Sequence, residues 1–223
     1  MKVFILAGGE GKRLRPLTYT LPKPLLPIGE KPVLEILIEN LKKQGFEEII
    51  ISVGYKSWLI KSYFADGKRW GVNINYVDED KKLGTAGPLK KIEKLLKDSI
   101  VVMNGDIVTD LDFSKMIDFH RSKQADMTVC TVDHVYKVPL GVIKSEGCNL
   151  SAYDEKPEIR FSVNAGIYVV SPTVLSFLPK DEYFDMSQLI CVLMKEKMKI
   201  VTYHSTQNWF DIGRMDDFKK FTP

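Results

Sequence analysis

Three kinds of residue in this chain are spaced to handle phosphate: a glycine cluster, the cations that follow it, and isolated carboxylates further on. Gly8, Gly9 and Gly11 close the short apolar run Val3 to Leu6, and Lys12, Arg13 and then Lys23 come next. Glycine reaches backbone angles closed to other residues and lets amide N–H groups approach a ligand. A strand that empties into such a turn beside cations prepares a phosphate site. Two familiar phosphate loops do not fit. The dinucleotide fingerprint needs glycines at relative positions one, three and six; Gly9 and Gly11 meet the first two, but Leu14 stands sixth. The ribose-binding acid expected about 20 residues on is replaced by Gly29-Glu30 in a Pro-rich turn. A Walker loop needs Gly-Lys followed by Ser or Thr, and here Gly11-Lys12 is followed by Arg13.

Elements must position these groups. Val3 to Leu6 reads as a buried strand, and Lys31 to Gln44 as a helix with an apolar stripe at Val33, Leu34, Leu37, Ile38 and Leu41, stopped by Gly45. Glu48 to Val53 is a β-branched strand. Ser57, as cap, opens a short helix to Phe64 with Trp58, Ile60 and Phe64 in the core; Val72 to Val77 alternates as a strand. Thr85 to Leu96 reads as a helix and Ile100 to Met103 as a buried strand that ends at Asn104-Gly105-Asp106. Phe113 to Ser122 is helical with Asp112 as cap. Met127 to Val132, Gly141 to Lys144, Ser162 to Ser171 and Ile200 to Tyr203 are strands, and Met186 to Lys195 and Asp216 to Phe221 are helices. Strands alternating with helices predict an α/β chain with a mainly parallel sheet and right-handed crossovers. Ligands in such sheets sit at the carboxyl ends of strands. Both the glycine loop and Asp106 follow strand ends, so one crevice can hold both.

Composition narrows the class. With 223 residues, 44% of them apolar and 27% charged, the chain suits one soluble globular domain. A net charge of +3 is too mild for nucleic-acid binding as the main task. Cys130, Cys148 and Cys191 lie apart in or beside apolar segments and read as reduced small hydrophobes. Met1-Lys2 leads only to a short apolar run, and no stretch reaches the roughly 18 apolar residues of a membrane span. A cytoplasmic protein without signal peptide or membrane anchor is expected. His120, His134 and His204 lack metal-ligand spacing, and His120 reads as a helix-surface residue.

The joint pattern AGGxGxRLxPLT followed by PKPLLPIGEKP, gap-free from Ala7 to Pro32, resembles the sugar-1-phosphate nucleotidyltransferases, also called sugar-nucleotide pyrophosphorylases. The resemblance implies a Rossmann-like, mainly parallel mixed β-sheet flanked by helices in a single domain over 1–223. Residues 1–112 would form its nucleotide-binding half and 113–223 its sugar-phosphate-binding half. It implies an enzyme in which a sugar 1-phosphate attacks the α-phosphorus of a nucleoside triphosphate, giving an NDP-sugar and pyrophosphate with Mg2+ as cofactor. Arg13 and Lys23 become the catalytic cations, and Asp106 and Asp211 (in Trp209-Phe210-Asp211-Ile212-Gly213) the metal ligands. Leu6, Ala7, Gly8, Gly9, Gly11, Gly84, Thr85 and Asn104 become nucleotide-binding. The GTAGPL form at Gly84 to Leu89 favours GTP, with UTP, CTP or dTTP behind it.

The resemblance further implies that Gly141, in Pro139-Leu140-Gly141-Val142, lets the sugar lie against the backbone, that Glu155 and Lys156, in Glu155-Lys156-Pro157, take its hydroxyls and its phosphate, and that Asn164 also reaches the sugar. A hexose, amino-hexose or heptose 1-phosphate is implied, with a phosphocholine-like acceptor as the alternative. A rival from another class is a non-catalytic nucleotide-sugar sensor, which should have lost a cation or a metal carboxylate; all four stand here. Many members of that family carry a C-terminal hexapeptide-repeat domain, whereas this sequence stops at Pro223, soon after the second metal motif. The expectation is a catalytic domain cut from a longer protein, with a homo-oligomer or fusion to a further domain as the partner arrangements.

Overall fold

The computed structural model describes residues 1–213 and Phe218. Its first strands are β1 (Val3–Ala7), β2 (Pro27–Ile28), β3 (Lys31–Pro32), β4 (Glu48–Val53), β5 (Asn73–Asp78), β6 (Ile100–Asn104) and β7 (Ile107–Thr109). There follow β8 (Met127–Lys137), β9 (Val142–Glu146), β10 (Asn149–Asp154), β11 (Glu158–Val170), β12 (Ile200–His204) and β13 (Trp209–Asp211). The α-helices are α1 (Val33–Lys43), α2 (Ser57–Phe64), α3 (Phe113–Ser122) and α4 (Met186–Lys195).

Seven strands form the central sheet in the order β12-β8-β11-β6-β1-β4-β5. β1 runs parallel to β4 and β6, β4 to β5 and β8 to β12, while β11 is antiparallel to both β6 and β8. The expected mainly parallel mixed sheet is present, and the second half of the chain extends it.

Strand side chains alternate between faces, and a central strand apolar at every position must be covered on both sides. Val3 and Ile5 of β1 accordingly pack with Leu37 and Ile38 of α1, Phe64 of α2 and Phe113 of α3. Phe4 turns the other way, toward Leu89, Ile92 and Leu175 and toward Leu189 and Leu193 of α4. A smaller cluster of Leu14, Leu26, Val33, Ile212 and Phe218 joins the loops after β1 to the far end of the chain.

Several expectations shift. Trp58 is 64% exposed rather than core, because α2 turns Ile60 and Phe64, with Leu59 partly buried beside them, toward the sheet. Lys56, in the left-handed region, occupies the cap position expected for Ser57. The expected helix from Thr85 is a 3-10 segment, Gly87–Leu95, whose threefold period lines up Leu89 and Ile92 on the buried side. Cys148 and Cys191 are exposed, and only Cys130 is buried. The strands β7, β10 and β13 escape sequence reading because they are short or polar. The expected helix over Asp216 to Phe221 lies outside the described residues apart from Phe218, which is buried. Among the described residues no helix is long and apolar enough to cross a membrane.

His120 is 3% exposed, not on the helix surface. Its Nδ1 lies 2.9 Å from Thr128 Oγ1, and its Nε2 lies 3.2 Å from Ser99 Oγ and 3.3 Å from Ser171 Oγ. Burial lowers its pKa from the ordinary 6.5, helped by the charge of Arg121 and opposed by Asp126. The unfolded chain therefore binds the proton first as pH falls. This contribution to stability is complete above the unfolded value and is lost as pH drops below it. The thermal midpoint is expected to fall between about pH 7 and about pH 5, and calorimetry of His120→Gln should show a flatter dependence over that window.

Candidate active site

A cavity of about 540 Å3 opens where β1 and β6 end. Its walls include Leu6, Ala7, Gly8, Gly9, Gly11, Gly84, Thr85 and Asn104, together with Arg13, Lys23 and Asp106. Residues expected at a nucleotide from the first half of the sequence therefore share one crevice. The Gly105 N–H donates to Leu6 O at 2.9 Å, which binds the turn after β6 to the end of β1 and aims Asp106 at the glycine loop.

Asp211 reaches this end by another route. β13 pairs antiparallel with β7, setting Asp211 opposite Ile107, and the Ile212 N–H donates to Asp106 O at 3.1 Å. Ile212 is anchored in the small cluster with Leu14 and Leu26, which flank the cationic loop. The Lys23 ammonium contacts Asp106 Oδ2 and lies 3.9 Å from Asp211 Oδ1. The side chains of Lys23 and Asp106 are only 13% and 18% exposed. Arg13 also lines the cavity, and among the described residues no ion pair or hydrogen bond engages its guanidinium.

Asp106 Oδ1 and Asp211 Oδ1 are buried without a hydrogen-bond partner. An anionic oxygen removed from water and given no donor is costly, so a cation is what these two atoms lack. Mg2+ takes one or two protein carboxylates and completes its shell with phosphate oxygens and water. Asp106 and Asp211 fit that donor set. Among the described residues no group of three or more His, Cys, Asp or Glu side chains is arranged to hold a metal.

Against Gly8 of the glycine loop stands Glu79, which sequence reading missed. Its carboxylate occupies the space a side chain at Gly8 would fill, and Ser52 Oγ donates to its Oε1 at 2.6 Å. Burial raises its pKa, against the opposing hydrogen bonds from Ser52 and the Leu83 N–H. Asp78-Glu79-Asp80 looks like a solvated acidic turn; the signal lay instead in Ser52, a lone hydroxyl in the apolar run of β4.

The wall beside Glu79 is tied together by Asp185. Its Oδ1 accepts from Thr85 N at 3.0 Å and Thr85 Oγ1 at 3.2 Å, and Tyr183 OH donates to Oδ2 at 2.7 Å. The Thr85 amide, expected close to the nucleotide base, is thus already in use. Across the cavity mouth Glu10 of the glycine loop pairs with Lys82, with Lys12 and Arg15 each 3.6 Å away.

Gly141, Glu155, Lys156 and Asn164 do not line this cavity. The first three cluster where the β9–β10 hairpin meets β8 and β11. Asn164 sits nearer: it lies at the register shift of β11, accepting from Gly166 N at 2.9 Å and donating to Tyr168 OH at 2.8 Å. Gly166 in turn packs against the Asn104 carboxamide of the cavity wall.

A family model described as nucleotidyl transferase matches residues 2–223. The chain is 36% identical, over 98% of its length, to the UTP–glucose-1-phosphate uridylyltransferase of Synechocystis, of which it covers 61%. It is 34% identical to the D-glycero-alpha-D-manno-heptose 1-phosphate guanylyltransferase of Aneurinibacillus thermoaerophilus, covering 99% of this chain and 96% of that one. Among solved structures it is similar to HddC from Yersinia pseudotuberculosis complexed with GMP-PN, with a TM-score of 0.78, 27% identity and coverage of 99% and 97% of the two chains. The chain thus spans about three fifths of the first relatives' length and nearly all of the heptose enzyme's.

Gly84 offers a test of the wall. Its φ is +75°, and a Cβ there would lie 2.6 Å from Phe184 O, which accepts from both Ala86 N and Gly87 N. Gly84→Ala is expected to destabilise the fold by about 2 kcal/mol, read as a drop of roughly 4–8 °C in the thermal midpoint.

Proposed function

The chain belongs to the nucleotidyl transferase family, and on that premise we propose that it joins a nucleoside triphosphate, GTP by preference, to a sugar 1-phosphate. One observation carries the reading: the glycine loop, Arg13, Lys23 and Asp106 meet in one cavity, with Asp211 brought to the same Lys23. A phosphate oxygen of the sugar phosphate attacks the α-phosphorus of the triphosphate. The α–β phosphoanhydride breaks, pyrophosphate leaves and an NDP-sugar remains.

Both reactants are anions, so the protein's work is to hold them in line and to neutralise charge as it builds. Lys23 stands at the reacting phosphates as a point charge. Arg13 presents a planar fork suited to two oxygens of the departing pyrophosphate. Asp106 and Asp211 would hold Mg2+, which when bound offsets the charge of the triphosphate.

The base end supports GTP. Glu79 is fixed by Ser52 and Leu83 and presents acceptors only in its ionised form. Guanine offers N1–H and the 2-amino group side by side, two donors for one carboxylate. Uracil and thymine offer a single N–H between two carbonyl oxygens, which a carboxylate repels. The guanylyltransferases of mannose and heptose 1-phosphates among the relatives support the same base. A sugar acceptor is supported by the sugar 1-phosphates in the relatives' names.

Pyrophosphate release with Mg2+, crossing four nucleoside triphosphates with hexose, amino-hexose and heptose 1-phosphates, tests the proposal. Turnover with at least one pair is expected, led by GTP; silence alongside tight NDP-sugar binding would mark a sensor instead. Asp106→Asn should lose at least roughly a hundredfold in rate with an unchanged thermal midpoint, and near-normal rates would remove the metal assignment. Glu79→Gln is expected to narrow the GTP-over-UTP ratio of kcat/KM by tenfold or more; an unaltered ratio would take Glu79 away from the base.

A further inference from the structure

We infer that Tyr153 is a further sugar-binding residue, forming with Glu155 a single platform for a polyhydroxylated ring. The inference rests on the proposed reading, in which Glu155 receives sugar hydroxyls.

The ring's position explains a neighbour. A Cβ at Gly141 would lie 2.7 Å from Tyr153 Cζ and 2.8 Å from Cε2. The space left open by the missing side chain is therefore already filled by the end of the phenol. Glycine at 141 admits the tyrosine.

The hydroxyl has a partner of its own. Tyr153 OH donates to Glu155 Oε2, which fixes the carboxylate and leaves Oε1 to accept from a ligand. Lys156 follows with φ +46° and carries its ammonium 3.9 Å from Glu155 Oε1. A non-glycine residue is held in that region only at some cost in backbone strain. The hydrogen bond from Val138 N to Pro157 O at 3.0 Å closes the junction and holds the turn in place.

The rest of the ring remains in water: Tyr153 is 56% exposed. An aromatic side chain whose hydroxyl is held by a carboxylate and whose ring stays free offers an apolar surface beside polar groups. A pyranose has matching parts. Its C–H face packs on the ring, its hydroxyls donate to the carboxylate in charge-assisted hydrogen bonds, and its phosphate meets Lys156. A solvated turn would need neither the room made at Gly141 nor the aimed carboxylate.

The test compares wild type with Tyr153→Phe, Tyr153→Ala, Glu155→Gln and the Tyr153→Phe/Glu155→Gln double variant. The probe is the sugar 1-phosphate that wild type uses best, with GTP held saturating and then varied, and circular-dichroism melts report folding. Tyr153→Phe should raise KM for the sugar phosphate about three- to tenfold, and Tyr153→Ala more, with KM for GTP unchanged within twofold. Added to Glu155→Gln, Tyr153→Phe should cost little further, because the two act through one contact. Unchanged KM values, equal rises for both substrates, or fully multiplicative effects in a folded double variant would each overturn the inference. Absence of turnover in wild type with every sugar phosphate would instead overturn the reading of function on which it rests.

Discussion

A single ammonium between two carboxylates is the interaction around which the rest of the site is arranged. Lys23 comes from a Pro-flanked turn, Asp106 from the end of the central strand β6, and Asp211 from the three-residue strand β13. Little-exposed charges are tolerated only when opposite charge or hydrogen bonds compensate them. This demand fixes how three separate parts of the chain must sit. The pairing of β13 with β7, the hydrogen bond from Gly105 to Leu6 and the Leu14–Leu26–Ile212 cluster all serve to hold that geometry.

The same cluster is unfinished on one side. Lys23 neutralises part of the charge, yet one oxygen of each aspartate stays buried without a donor. A folded protein that leaves such atoms unsatisfied is adapted to receive something there. The cavity wall also carries both signs of charge, with Arg13 and Lys23 on one hand and the carboxylate of Glu79, fixed beside Gly8, on the other.

The two halves of the chain differ in how tightly their expected roles are gathered. Most residues expected to face a nucleotide come from strand ends of one parallel sheet, whose carboxyl edge forces them together. Those expected to face a sugar come from a two-stranded extension of β8 and β11 and from the β9–β10 hairpin, which depend on local contacts such as Tyr153 with Glu155. That distinction also explains why Tyr153 and Glu79 went unnoticed in the sequence. One lies in a polar stretch that does not read as a strand and the other looks like a solvated acid, and each gains its character from a distant or folded-back neighbour.

Local sequence was sufficient for whatever depends on periodicity and backbone chemistry. The apolar runs of β1, β4 and β6, the stripe of α1, the Asp112 cap on α3 and the glycine loop were all legible, as was the resemblance carried by Ala7 to Pro32. Tertiary structure alone decided which face each helix buries, leaving Trp58 in water and His120 inside. It alone set Asp211 beside Asp106, committed the Thr85 amide to Asp185 and turned Glu79 into the cavity. The physical reason is that burial, pairing and charge compensation are properties of contacts between remote segments. Propensity and spacing describe only the segment itself.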